Sequence, residues 1–225
     1  MATGDKLRFA VQDNGEVSAL LVRPLAAQRL LVLGHGAGAG MAHPFLENLA
    51  GELAKVGIAT LRYQFPYMEE RRRVPDKPDV LAATVAAAVR LAAETAPELP
   101  LLAGGKSMGG RMTSQAAAQN LLGSAKGLVF FGFPLHPPNR PSIKRAEHLA
   151  KVRVPMLFLQ GTRDTLADLT LLRPVCAKLG ECATLHVILE ADHSFHVLKK
   201  SGKSDTGVMT ELAQTTAGWA EKLNN

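Results

Sequence analysis

A serine, an aspartate and a histidine, at positions 107, 164 and 193, have the types and spacing for nucleophilic catalysis. A serine hydroxyl is a weak nucleophile and needs a neighbouring base, and that base needs an acid to hold its ring. Ser107 is the centre of Gly105-Lys106-Ser107-Met108-Gly109, a G-x-S-x-G pattern. The apolar run Leu99–Ala103 before it reads as a buried strand, and Met108–Leu122 after it as a helix. That context suits a turn so tight that only small residues fit two places before and two after the serine; glycine fills both. Asp164 comes four residues after a predicted strand, Val154–Gln160, and His193 four residues after another, Ala183–Leu189. In a parallel sheet, functional residues gather at the carboxyl ends of strands. The three therefore converge on one edge, in the chain order serine, acid, histidine.

Each has rivals. Asp168 is a second candidate acid, but it stands where the next helix begins and fits an N-cap. Asp192 adjoins His193 and cannot easily face the edge of its ring. His196 is a second candidate base, further from the strand end. Asp164 alone would pass for an ordinary turn residue, and His193 alone for a surface-loop histidine.

Two nucleotide motifs can be set aside. Gly105-Lys106-Ser107 imitates the end of a phosphate-binding P-loop, yet the required first glycine is Pro100, and the residues between are apolar strand. Gly34-His35-Gly36-Ala37-Gly38-Ala39 matches a dinucleotide fingerprint, but the next strand, Ala59–Phe65, carries Arg62 and no acid for a ribose.

The elements that must position these residues follow from pattern. Leu7–Arg23 alternates apolar and polar residues around Asp13-Asn14-Gly15 and reads as a hairpin. From Leu30 onward strands alternate with helices: strand 30–33, helix 45–56, strand 59–65, a proline-bracketed loop 66–78 and a helix 80–94 capped by Asp79. After Ser107 and its helix come strand 126–133, a short helical patch near 143–150, strand 154–160, helix 168–179, strand 183–189 and helix 206–223. The pattern predicts one α/β domain over 1–225, a mostly parallel sheet with helices on both faces. About twenty residues join strands 126–133 and 154–160, which leaves no room for a large cap domain.

Composition narrows the class. With 225 residues and 47% hydrophobic content, the chain can bury one sizeable core. Net charge is +6, but only Arg71-Arg72-Arg73 is dense, and aromatics are 5%, so nucleic acid is not expected as a partner. Cys176 and Cys182 match no metal motif. The stretch Met1–Lys6 lacks the apolar core of a signal peptide, and no run of 18 apolar residues occurs, so a cytoplasmic protein without a membrane partner is expected.

These motifs resemble the α/β-hydrolase superfamily, and within it the small dienelactone-hydrolase-like group. The likeness covers nearly the whole chain, through Gly34–Gly38, Gly105–Gly109, Gly161-Thr162-Arg163-Asp164 and Ala191–Phe195. Phe65–Glu69 and Gly132–Pro138 further resemble a mostly uncharacterised bacterial branch. Dienelactone hydrolases use a cysteine nucleophile where this chain has Ser107. The resemblance implies a serine esterase with no metal or cofactor, acting on a small-molecule acyl substrate, as a monomer or homodimer. It also implies an oxyanion hole from the backbone amides of Met108 and Ala37. Position in a loop does not by itself give function, so His35 is read as a loop-stabilising residue rather than a fourth catalytic group. A thioesterase, a peptidase or a non-catalytic interaction module on the same fold are the alternatives. The arginine run has two readings, a site for a substrate anion or a solvated loop in which Glu69 and Glu70 pair with it.

Overall fold

The computed structural model describes residues 4–223, so the first three residues of the N-terminal stretch lie outside it. Eight strands form one sheet: β1 (Asp5–Ala10), β2 (Glu16–Val22), β3 (Arg29–Gly34), β4 (Ile58–Tyr63), β5 (Leu101–Lys106), β6 (Ala125–Phe131), β7 (Met156–Gly161) and β8 (Ala183–Ile188). Their order is β1-β2-β4-β3-β5-β6-β7-β8, antiparallel at the β1–β2 and β2–β4 pairings and parallel from β4 to β8. Helices α1 (Pro44–Lys55), α2 (Pro66–Glu69), α3 (Pro78–Thr95), α4 (Met108–Ala118), α5 (Leu169–Leu179) and α6 (Asp205–Ala220) join or close the strands.

The central strands are apolar at nearly every position because both of their faces are covered. Alternation still decides which layer each residue enters. Leu30 and Val32 of β3, Leu128 and Phe130 of β6, and Met156 and Phe158 of β7 pack with α3 and α4. Their neighbours Leu31, Leu33, Val129, Phe131, Leu157 and Leu159 pack with α1 and α6.

The hairpin, the parallel sheet and the lack of a cap domain agree with the sequence reading. Between β6 and β7 there is only a loop and a 3₁₀ segment, Lys144–Lys151. Three local readings need correction. The segment 66–78 is not all loop: its first residues form α2, with Pro66 and Tyr67 buried. Asp79 does not cap α3; Lys77 holds the cap position and Pro78 the first turn, where a missing N–H goes unmissed. Helix α4 ends at Ala118, four residues early, where Asn120 turns into left-handed backbone at φ 59°. Among the described residues no helix is long and apolar enough to cross a membrane.

Candidate active site

Strand β3 pairs with β4 on one side and β5 on the other, so the order of connection reverses there. Crevices at such reversals, beyond the carboxyl ends of the strands, are where open α/β sheets bind ligands. The loop after β3 (residues 35–43) and the turn after β5 meet at this point.

Ser107 sits in the turn between β5 and α4 with φ 52° and ψ −117°. That backbone is strained for a residue with a side chain, by about 1–3 kcal/mol. Two close approaches hold it. A Cβ on Gly105 would lie 2.6 Å from the Gly34 carbonyl oxygen, and one on Gly109 would lie 2.4 Å from the same atom. The turn is thus packed directly on the end of β3, which explains both glycines of the motif. Ser107 N–H donates to Phe131 O at 3.1 Å, tying the turn to β6 as well.

His193 and Asp164 complete a hydrogen-bonded chain. His193 Nε2 is 2.9 Å from Ser107 Oγ, and His193 Nδ1 is 2.7 Å from Asp164 Oδ2. A carboxylate can only accept, so Nδ1 carries the proton and Nε2 presents its lone pair to the serine hydroxyl. The Asp164 side chain is 1% exposed. It also accepts from Leu166 N–H at 2.8 Å and from Gln160 Nε2. Buried acceptors of this kind demand partners, and Asp164 has three.

The loops carrying acid and base are laced together. Thr162 N–H donates to Ile188 O at 3.1 Å, Arg163 N–H to Ala191 O at 2.9 Å, and Glu190 N–H to Thr162 Oγ1 at 2.8 Å. The rivals are occupied elsewhere. Asp168 Oδ1 accepts from Thr170 N–H at 2.8 Å and caps α5. Asp192 Oδ1 accepts from the N–H groups of Ser194 (2.8 Å) and His196 (3.0 Å), shaping the turn that carries His193. His196 pairs with Asp205 at 2.8 Å, and that carboxylate raises its pKa.

His35 is buried, with Nδ1–H donating to Gly36 O at 2.8 Å and Nε2 accepting from Phe65 N–H at 3.2 Å. Both ring nitrogens are spent on backbone, and burial pushes its pKa down to about 4, so the ring is a neutral brace for the loop. Tyr67 Oη, which accepts from Gly38 N–H at 3.0 Å, braces it from α2. Gly36 packs on the elbow, and a Cβ there would lie 3.8 Å from Ser107 Cβ. The amide of Met108, first in α4, has no carbonyl within its own helix to bond. The Ala37 amide donates to no acceptor among the described residues. Neither amide is committed to an acceptor among the described residues, and the N-terminus of α4 favours negative charge near it.

The sequence reading passed over Lys106, whose ammonium is buried beside Asp164, and Gln160, which supports the acid. Gln160 was hidden because a polar residue near a strand end reads as exposed. The arginine run only partly matches either reading. Arg72 pairs with Glu70 and Asp76, both at 2.6 Å, whereas Glu69 turns inward to Arg8 and Ser18. Among the described residues no ion pair reaches Arg71 or Arg73. A groove of about 770 Å³ lies against α1 and α6, but neither Ser107, His193 nor Asp164 lines it.

Residues 27–221 match the model of the alpha/beta hydrolase domain family. Dienelactone hydrolase from Anabaena variabilis superposes with a TM-score of 0.77 at 21% identity, over 99% of this chain and 98% of that one. A serine hydrolase without a lid from Xanthomonas campestris gives 0.76 at 19% identity, over 97% and 96%. Est1E from Butyrivibrio proteoclasticus gives 0.70 at 16% identity, over 96% and 99%. With a match over most of its length and a fold shared end to end with such enzymes, this chain belongs to the α/β-hydrolase family.

Proposed function

We propose that this protein is a serine hydrolase that cleaves an ester-like acyl bond through an acyl-enzyme intermediate. Ser107 is the nucleophile, and His193 takes its proton as the hydroxyl attacks the carbonyl carbon. Asp164 holds the imidazole in the Nδ1–H tautomer and stabilises the imidazolium. The carbonyl oxygen becomes an oxyanion between the amides of Met108 and Ala37, each worth about 3–4 kcal/mol at the transition state in comparable sites. Collapse expels the alcohol with the proton from His193, and water then attacks the acyl-serine by the same steps. The observation that carries the reading is the continuous chain Ser107–His193–Asp164 at 2.9 and 2.7 Å beyond the strand ends. Solved neighbours described as esterases and as a dienelactone hydrolase support the ester class.

A fluorophosphonate probe followed by a panel of p-nitrophenyl esters of graded chain length, with a thioester control, tests it. Labelling at Ser107 and ester turnover are expected. Folded wild-type protein that neither labels nor turns over any member would refute the reading. Faster turnover of the thioester than of its matched oxygen ester would move the assignment to a thioesterase.

A further inference from the structure

Lys106 is the last residue of β5, and its place in the alternation is that of Leu102, toward the layer of α1 and α6. Its side chain therefore enters an apolar layer. The Nζ atom is buried and has no hydrogen-bond partner among the described residues. It lies 5.7 Å from the ring centroid of Phe45 and 5.6 Å from that of Phe195, two rings stacked at 5.8 Å and 19°. Rings at that range attract a cation but do not replace its hydration.

Gly132, at φ +70°, marks what the ammonium faces. A Cβ there would lie 3.2 Å from Lys106 Nζ, 3.5 Å from Asp164 Oδ2 and 3.5 Å from His193 Cε1. Cation, carboxylate and imidazole thus converge on one point, which is open because residue 132 has no side chain. The charged or titratable groups around the ammonium are Asp164 from the loop after β7 and Asp192 and His193 from the loop after β8. Asp164 and Asp192 act on it through their fields, since no carboxylate oxygen lies within 4.0 Å of Nζ to form a salt bridge. For packing alone, methionine would fill this place without burying an unpaired charge.

We propose that Lys106 is a positioning residue for the Asp164–His193 pair: its ammonium fixes the charge balance of the pair, holding the carboxylate ionised and opposing proton uptake by the imidazole. The proposal rests on the assignment of Ser107, Asp164 and His193 as the hydrolytic machinery. Burial lowers the Lys106 pKa to about 8, so the cation is present throughout the acidic range in which a histidine titrates. Removing it lets His193 take up a proton more readily, by loss of direct repulsion and by strengthening of the carboxylate, and both effects have the same sign.

The test compares wild type with Lys106→Met, Lys106→Gln and Lys106→Arg. Two readouts are taken: the pH profile of kcat/KM for p-nitrophenyl acetate, and the titration of the His193 ring followed by NMR. In the Met and Gln variants both the acidic limb and the ring midpoint should move up by about one pH unit. The movement should survive high salt, because the interaction is buried. Lys106→Arg should restore most of the wild-type position. Two neutral variants allow for one failing to fold. An acidic limb and ring midpoint unmoved in a folded neutral variant would overturn the proposal, as would an equal shift in Lys106→Arg. Wild type that neither labels with the fluorophosphonate nor turns over any ester of the panel would refute the hydrolase reading instead, and the NMR titration would still decide the role of Lys106.

Discussion

Among the described residues two serine–histidine contacts occur, and the shorter one lies away from the strand ends. Ser107 and His193 are 2.9 Å apart; Ser114 on α4 and His148 in the 3₁₀ segment are 2.7 Å apart. The difference lies in where the protons are committed. Ser114 Oγ donates to Arg111 O at 2.8 Å, one turn back in its helix, so His148 Nε2–H must be the donor to Ser114. Among the described residues no carboxylate is bonded to the other nitrogen of His148, and burial with Arg111 nearby lowers its pKa to about 4. With its proton on Nε2, that ring presents no lone pair to the serine. Behind His193, by contrast, Asp164 fixes the tautomer that presents a lone pair to Ser107. Proximity makes a hydrogen bond; the third group and its direction of donation make a base.

The sharpest way to break this comparison is to delete each hydroxyl. Ser107→Ala should lower p-nitrophenyl acetate turnover by about 10⁵-fold or more, with a melting temperature unchanged or slightly raised as strain is relieved. Ser114→Ala should leave turnover within about twofold and lower stability by about 1 kcal/mol. A fluorophosphonate adduct on Ser114 would overturn the distinction.

Next in size is the third group. Asp164→Asn should lower kcat by about 10⁴-fold by favouring the wrong histidine tautomer. Asp168→Asn, which weakens only the cap of α5, should leave kcat nearly intact. The opposite ranking in steady-state kinetics would reassign the acid.

A third test uses the depressed histidines. His35 and His148 are held near pKa 4 in the folded protein, whereas the unfolded chain binds those protons near 6.5. The unfolded state therefore carries more protons between about pH 4 and 6.5, and stability should rise with pH across that window. His148→Gln should flatten the slope in urea titrations without altering turnover, which would place His148 outside the chemistry. An unchanged slope would contradict its buried, neutral state.

The smallest effect concerns Arg71 and Arg73. If they hold a substrate anion, esters with a free carboxylate should show a KM several-fold below that of neutral esters of equal length, a preference that fades with salt. It should also vanish when Arg71, Arg72 and Arg73 are all replaced by Ala. Equal KM values in the wild type would leave the run as a solvated loop.

How much of this was legible in the sequence follows from what each feature depends on. The strands and the convergence of Ser107, Asp164 and His193 could be read because alternation, glycine spacing and position after a strand are local patterns. Lys106 could not be weighed the same way. A lysine inside a tight turn reads as solvated, and its burial depends on Phe45 and Phe195, which are remote in sequence and stacked only once α1 and the loop after β8 dock together. Asp79 misled for a similar reason: as a capping residue it competes with Pro78, whose fixed φ already suits the first turn.

The packing of Gly105 and Gly109 against the Gly34 carbonyl bears on chemical versatility. What those contacts lock is the backbone at position 107, and through it the direction of the Cα–Cβ bond; nothing in them touches the atom beyond Cβ. The turn itself therefore makes the same demand on the backbone whether oxygen or sulfur is carried there. One architecture can exchange a hydroxyl for a thiol by a single codon change, and the choice of nucleophile becomes separable from the evolution of the fold that aims it.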